Sequence, residues 1–187
     1  MTQNSKFDVD AFSAGQIESK IWAAEELERV SAHTNVLRIS MLGGWYGLFH
    51  FILKVRGRQQ IEWCRSYDLD ASACSVANMI NNSWSYEWQF RSMPKDANEL
   101  TYDDNTNCVV NTATEHFYNN DWFESIPDGT LCLLQGNDLK IDDHVNRPRD
   151  LDDFKKKYPL TTMLFSGTKK FNFETNPYTR YMIIGHK

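Results

Sequence analysis

The stretch RISMLGGWYG, Arg38–Gly47, is followed along the chain by RSYDLD, Arg65–Asp70. The first stretch is an apolar run that stops at two glycines, and Leu48–Val55 then predicts a buried helix. The second stretch ends another apolar run in Asp68. Glycines let a backbone approach a ligand closely, and a carboxylate at the neighbouring strand tip accepts hydrogen bonds from ribose hydroxyls. The pattern therefore favours a nucleoside-binding α/β sheet over an ordinary glycine-rich turn.

Length and composition limit the class of protein. The 187 residues fit one domain, and 41% apolar with 13% aromatic residues is enough for a packed core. The net charge of −5 argues against broad affinity for nucleic acid or an anionic membrane. No apolar run approaches the ~20 residues of a transmembrane helix. The polar N-terminus lacks the apolar core of a signal peptide, which predicts a cytoplasmic protein.

The four cysteines, Cys64, Cys74, Cys108 and Cys132, are widely spaced and form no CxxC pair. A structural zinc site needs closer spacing, and disulfides are rare in a reducing compartment. We expect these cysteines to act as small buried apolar residues.

Hydrophobic periodicity and turn residues predict seven strands, with helices in the first five crossovers. The predicted strands are Val36–Leu42, Ile61–Tyr67, Gln89–Ser92, Cys108–Val110, Thr130–Gln135, Thr161–Ser166 and Arg180–Ile184. The predicted helices are Gln16–Ser31, preceded by the capping box Ser13–Gln16, then Trp45–Val55, Ala71–Asn82, a helix or loop near Asp121–Ser125, and Leu151–Tyr158 with Asp150 as its N-cap.

The last two predicted strands are joined by a segment too short for a crossover helix, so they should be antiparallel. Alternating strands and helices elsewhere give a parallel sheet covered on both faces. The prediction is one α/β domain over residues 1–187, three-layered and doubly wound. Its seven-stranded, mostly parallel sheet has an antiparallel terminal hairpin, and residues 1–35 form an N-terminal helical extension.

This order of parts resembles the class I, Rossmann-like, S-adenosylmethionine-dependent methyltransferases, from about Val36 to Lys187. The region Asn111–Asp138 is also similar to small uncharacterised bacterial and phage members. The resemblance implies S-adenosyl-L-methionine as the cofactor. The positions that match the family's cofactor motifs are Gly43, Gly44, Trp45 and Gly47 in the turn, Asp68 and Leu69 after the second strand, Asp96 and Ala97 after the third, and Asn111 after the fourth.

The family's first motif usually has an acid shortly before the glycines, where this chain has Ser40 and Met41. The resemblance therefore leaves the group that holds the cofactor's amine open. Glu115 and Gln16, on the N-terminal helix, are the two candidates.

The segment NTATEH, Asn111–His116, directly follows a predicted buried strand and matches the family's strand-four tip. A base at this tip would stand beside the reactive methyl group, and histidine titrates near neutral pH. Glu115 and His116 are thus candidate catalytic residues. The alternative is that Glu115 contacts backbone amides or cofactor, and that His116 caps the next helix.

The polar loop after the fifth strand contains Asp142, Asp143 and His144. Carboxylate and imidazole are metal ligands, but no evenly spaced third ligand stands out, so we predict no metal site. Long ordered loops often bind substrates or close over a site. His144 is accordingly a third catalytic candidate, approaching from this loop.

The predicted function is methyl transfer from S-adenosylmethionine to a small molecule or an exposed macromolecular group. The alternatives are an enzyme that cleaves or cyclises the cofactor, and a nucleoside binder without catalysis. A nicotinamide enzyme is disfavoured by the terminal hairpin and by the departure of the turn from GxGxxG.

Overall fold

The computed structural model describes residues 7–31, 36–85, 88–103, 105–173 and 176–187. The strands are β1 (Leu37–Leu42), β2 (Ile61–Asp68), β3 (Phe90–Pro94), β4 (Cys108–Asn111), β5 (Leu131–Asn137), β6 (Thr162–Phe171) and β7 (Tyr178–His186). The helices are α1 (Ala14–Val30), α2 (Leu48–Arg56), α3 (Ala71–Ile80), α4 (Asn82–Ser85), α5 (Asp121–Glu124) and α6 (Leu151–Lys157). Short 3-10 helices cover Val9–Phe12, Ala97–Glu99 and Thr114–His116. Residues 1–6 and 32–35 of the predicted N-terminal extension lie outside the described residues. Within the described ranges, no helix has both the length and the apolar character needed to cross a bilayer.

The seven strands form one sheet in the order β3-β2-β1-β4-β5-β7-β6. Strands β1 to β5 run parallel, and β7 is antiparallel to both of its neighbours, β5 and β6. The predicted parallel sheet with an antiparallel terminal hairpin is therefore confirmed. The strand order reverses between β1 and β4, and open α/β sheets bind ligands at the carboxyl ends of the strands beside such a reversal.

Side chains alternate between two cores, one on each face of the sheet. Leu131 and Leu133 of β5 belong to a core that includes residues of α1 and α2. Cys132 and Leu134 belong to a second core that includes Phe154 of α6. Because successive strand residues point to opposite faces, both faces of β5 are covered, as the predicted three layers require.

Three predicted elements differ from the structure in kind or by more than two residues at one end. Helix α2 begins at Leu48 and not at the predicted Trp45. The preceding Gly47 has a left-handed backbone (φ 67°), so it belongs to the turn and not to the helix. Strand β6 extends to Phe171, since its polar second half pairs with β7 along the sheet edge. Among its described residues, the β3–β4 connection holds only the 3-10 helix Ala97–Glu99, so the prediction of a crossover helix there is wrong.

The two predicted helix caps are present. The Ser13 side chain accepts from the Gln16 amide at the start of α1 (3.4 Å), and the Asp150 carboxylate accepts from the Asp153 amide at the start of α6 (2.8 Å). These caps fix where both helices begin.

Candidate active site at the carboxyl ends of the strands

The turn of residues 43–47 joins the tip of β1 to α2. A Cβ atom on Gly44 would collide with the Ser66 hydroxyl of β2, so only glycine permits this close approach of the two strand tips. Gly43 faces the segment after β4, where Phe117 lies against it, and Gly47 lies against α3. The glycines therefore bring the tips of β1, β2 and β4 together.

Asp68 fastens the turn to the tip of β2. Its Oδ2 accepts from the backbone amide of Trp45 (2.8 Å), a non-glycine residue with a positive φ of 45°. Its Oδ1 accepts from the Asp70 amide (3.1 Å). Each carboxylate oxygen keeps a second lone pair, so Asp68 can still accept from a ligand hydroxyl. Leu69, the next residue, is exposed at this tip.

The tip of β3 lies beside the tip of β2, because the Lys95 amide donates to the Asp68 carbonyl (2.9 Å). Asp96 is half-buried here and caps the following 3-10 helix by accepting from the Asn98 amide (2.8 Å). Ala97 is buried in the core next to α6. Of these two predicted cofactor positions, Asp96 stands at the tip, whereas the Ala97 side chain packs inward.

Asn111 ends β4, directly beside the end of β1. Its Oδ1 accepts from the Ala113 amide (2.9 Å), while its buried Nδ2 has no hydrogen-bond partner. Eight buried side-chain polar atoms of the described residues lack a partner, and four of them lie at this edge of the sheet. The four are Asn111 Nδ2, Glu115 Oε2, Gln135 Oε1 and Arg180 Nε. Buried polar atoms are nearly always hydrogen-bonded, so this concentration favours a site that water or a ligand completes.

Glu115 is the buried acid of this edge, with only 2% of its surface exposed. Its Oε1 accepts from the side-chain Nδ2 of Asn137 in β5 and lies 4.0 Å from Nη1 of Arg180. Arg180 itself donates to the Thr112 carbonyl (3.1 Å). A positive charge thus compensates the buried carboxylate.

Lys20 reaches the same cluster from α1. Burial, together with the charge of Arg180, lowers the pKa of Lys20 to about 7, and the charge of Glu115 opposes this shift. Its ammonium or amine nitrogen lies 2.6 Å from Oε1 of Gln16, the predicted cofactor residue of this helix. The N-terminal helix therefore contributes a titratable nitrogen to the site.

His116 and His144 meet at the mouth of the cluster. Their ring centroids are 4.7 Å apart and the rings are perpendicular. His116 is exposed, whereas His144 is buried and its Nδ1 lies 2.9 Å from the Leu139 carbonyl. Burial lowers the pKa of His144, which favours its neutral form, against the raising effect of Glu115. The structure thus brings together the three predicted catalytic residues, although two elements separate them in the sequence.

Sequence reasoning missed Lys20 and Arg180. A lysine in an amphipathic helix is typical of an exposed face, so nothing in the pattern marked Lys20. Arg180 is the first residue of the predicted last strand, and a charged residue in an otherwise apolar strand is a usable signal. Asp142 and Asp143, considered with His144, are exposed on the loop.

A groove of about 780 Å³ lies beyond the ends of β5 and β7, beside this cluster. Tyr178 lines the groove, and the Arg180 guanidinium lies 5.9 Å from the centre of its ring. The charged residues of the lining are Asp138, Lys140, Arg147, Arg149 and Lys170. Four of these five side chains are basic, so the groove is more positive than the acidic chain as a whole.

No protein-family model and no curated protein matches the chain. Solved structures do match. The YcgJ protein from Bacillus subtilis superposes with a TM-score of 0.69 at 11% identity, over 89% of this chain and 98% of that chain. The N-methyltransferase NodS from Bradyrhizobium japonicum WM9, in complex with S-adenosyl-L-homocysteine, superposes with a TM-score of 0.64 at 10% identity, over 98% of this chain and 93% of that chain. The likeness shows the fold: the chain has the Rossmann-like fold of class I S-adenosylmethionine-dependent methyltransferases.

Proposed function

We propose that this chain, which has the class I methyltransferase fold, binds S-adenosylmethionine and transfers its methyl group to an acceptor. One observation carries the proposal. The strand order brings the glycine turn, Asp68 and the four unpaired polar atoms described above to one edge of the sheet. Such an edge, beside the reversal of strand order, is where open α/β sheets bind nucleosides.

The cofactor-binding residues follow from this placement. Asp68 is positioned for the ribose hydroxyls and Asp96 for the adenine, since both stand at the adjoining tips of β2 and β3. The turn around Gly43 and the unpaired Nδ2 of Asn111 are proposed to face the methionine portion. Gln16, held by Lys20, approaches that portion from α1. The sulfonium then lies next to Glu115 and the two histidines.

The chemistry needs alignment and the removal of one proton. A lone pair of the acceptor attacks the methyl carbon, and the electron pair of the carbon–sulfur bond goes to sulfur, which gives S-adenosylhomocysteine. The acceptor's proton leaves to a base at the strand-four tip, where His116 and Glu115 stand. Positioning supplies much of such a rate enhancement, and a base adds about 10²–10⁴-fold.

The acceptor is proposed to enter along the groove beyond β5 and β7. The groove adjoins the catalytic cluster through Tyr178 and Arg180, and four basic side chains line it. Positive side chains favour an acceptor that carries a carboxylate or phosphate group. Screening for methyl transfer accordingly begins with small anionic molecules.

A specific observation favours a second candidate, a nucleoside binder without transfer. Both oxygens of Asp68 already accept backbone hydrogen bonds, so the acid has a structural task even without a ligand. Product analysis separates the candidates. S-adenosylhomocysteine indicates transfer, methylthioadenosine indicates cleavage or cyclisation, and unchanged cofactor with every acceptor tested favours the binder.

The direct test is binding of S-adenosylhomocysteine by thermal shift and calorimetry. Millimolar ligand should raise the melting temperature of the wild-type chain, because a ligand of the native state stabilises it. Asp68→Asn should weaken binding by about tenfold to a hundredfold, since a charge-assisted acceptor is lost while one backbone bond is kept.

The matched control is Asp70→Asn, two residues away. Asp70 caps α3 by accepting from the Ser72 amide (2.7 Å), and asparagine caps equally well, so stability and binding should both persist. A folded wild-type chain that shows no shift contradicts the proposal. A loss confined to Asp70→Asn places the ribose at the other acid.

A further inference from the structure

We propose that Glu115, His116 and His144 bind one divalent transition-metal ion at the tip of β4, and that this ion activates the acceptor. The ion-binding part stands by itself, whereas the activating role rests on the proposed methyl transfer. The ligand atoms that these three side chains offer all lie within 4.8 Å of one another. Small side-chain rotations bring them to the spacing of ligands around one ion, whose bonds to nitrogen and oxygen are about 2.0–2.2 Å.

His144 is already prepared as a ligand. Its Nδ1 faces the Leu139 carbonyl at 2.9 Å, and a carbonyl oxygen only accepts, so Nδ1 carries the proton. The lone pair of the neutral ring is therefore on Nε2. Metal-binding histidines are usually oriented in this way, with the second ring nitrogen donating to a carbonyl or carboxylate.

Glu115 supplies an independent observation. Its Oε1 is used, because Asn137 donates to it and Arg180 lies 4.0 Å away. Its Oε2 is buried and has no hydrogen-bond partner among the described residues. An ionised oxygen without a partner is costly to bury, and a metal ion would supply the missing interaction.

His116 completes the set from the exposed side. Its backbone is fixed in the 3-10 helix Thr114–His116, with its amide donating to the Ala113 carbonyl (3.1 Å). Its ring can rotate because the residue is exposed. The Glu115 carbonyl also accepts from the Asn146 amide (3.0 Å), which ties the loop that carries His144 to this turn. The three ligands are thus held close before an ion arrives.

The donor set selects the kind of ion. Two imidazoles and one carboxylate suit Zn²⁺ or Fe²⁺, whereas Mg²⁺ and Ca²⁺ prefer oxygen ligands. Three protein ligands leave a coordination position open, as in catalytic sites and unlike closed structural ones. Arg180 does not compete with the ion for Oε2 of Glu115, because the Arg180 guanidinium lies nearest to Oε1.

The open position gives the ion its role. An acceptor hydroxyl bound there loses its proton to solvent more readily, because the metal ion lowers the pKa of a bound oxygen. The resulting oxygen anion attacks the methyl carbon, and the electron pair of the carbon–sulfur bond goes to sulfur. In this arrangement the two imidazoles bind the ion and do not act as bases. The ion instead promotes loss of the acceptor's proton.

The test is calorimetric titration of the full chain with ZnCl₂ after treatment with EDTA and dialysis, with MgCl₂ as the comparison ion. We expect one Zn²⁺ per chain and much weaker binding of Mg²⁺. His116→Ala and Glu115→Gln should each weaken Zn²⁺ binding by about tenfold or more. His116 is exposed and Gln matches the shape of Glu, so both variants should fold, which circular dichroism checks.

His186→Ala is the matched control. This histidine lies at the end of β7, where its Nδ1 contacts the Gly129 carbonyl (2.9 Å), and the variant should bind Zn²⁺ like the wild type. Absence of Zn²⁺ binding, or an equal loss in His186→Ala, would overturn the proposal. Binding of S-adenosylhomocysteine by the EDTA-treated wild type is measured in parallel. Zn²⁺ binding without S-adenosylhomocysteine binding overturns the activating role and leaves the metal site. The reverse result overturns the metal site together with its activating role, and leaves the proposed methyl transfer.

Discussion

Lys20 lies in an environment that a lysine side chain rarely occupies. It is 7% exposed, and burial lowers its pKa to about 7. Between pH 7 and the unfolded value of 10.5, the unfolded chain therefore binds more protons at this position than the folded chain. The contribution of Lys20 to the free energy of unfolding accordingly rises with pH over this range, by up to about 1.4 kcal/mol per pH unit.

Lys20→Met should therefore stabilise the chain most near and below pH 7, and the gain over wild type should shrink toward pH 10.5. Urea unfolding of both proteins between about pH 6 and pH 10 measures this difference. Buried thiols with raised pKa values act with the opposite sign in the same range, but they are common to both proteins and cancel.

The control for this prediction is Lys156→Met, which changes an exposed lysine of α6. Its difference from wild type should not depend on pH. If the difference in free energy of unfolding between Lys20→Met and wild type is also independent of pH, then Lys20 is charged and compensated in the folded chain throughout this range.

Single residues also mark the limit of prediction from sequence. Asp68 and Glu115 were found because each directly follows an apolar strand, and strand ends can be located from the sequence. Lys20 could not be found, because only the packing of α1 on the sheet brings it to Glu115 and Arg180. Even Ala97, matched by resemblance, turns its side chain into the core, a direction that no sequence pattern encodes.

Among the elements, the terminal hairpin depends on one close approach. A Cβ atom on Gly185 of β7 would collide with the carbonyl oxygen of Thr162 in β6. Gly185→Ala should therefore force β6 away from β7 and lower the free energy of unfolding by about 1–3 kcal/mol or more. The midpoint of urea unfolding measures the loss.

Gly129→Ala is the comparison for this prediction. Gly129 has a φ of 80° but no atom within 4 Å of the added methyl group, so only backbone strain of about 1 kcal/mol is expected. If Gly185→Ala costs no more than Gly129→Ala, the hairpin tolerates a shift of β6, and the close contact does not fix its position.

Elements were predicted best where burial dictates composition. Strands β1, β4 and β5 are largely buried on both faces, so their apolar runs end within two residues of the predicted bounds. Strand β6 was predicted too short, because at a sheet edge its second half contains Lys169 and Lys170. Backbone pairing with β7 orders these residues. Such pairing does not require apolar side chains, so it cannot be recognised from the hydrophobic pattern of the sequence.

For the whole molecule, strand order is what assembles the candidate site. Glu115 follows β4, His144 lies in the loop after β5, and Arg180 lies near the start of β7, and these strands are neighbours in the sheet. The sequence predicted one mostly parallel sheet with an antiparallel terminal hairpin, and the structure confirms this prediction. It did not predict that the long loop folds back so that the Asn146 amide reaches the Glu115 carbonyl, which places His144 against His116.

All four cysteines lie inside the molecule, with no thiol at the surface, and burial raises their pKa values. An accessible thiolate is the nucleophile that attacks a thiol reagent, so the folded chain should not react with such reagents. A single cysteine introduced at the surface would then be the one position that takes a fluorescent label. Tyr118, which is 88% exposed just beyond the tip of β4, is suited to this use. Because the native thiols are buried, Tyr118→Cys would carry a single dye beside the candidate active site.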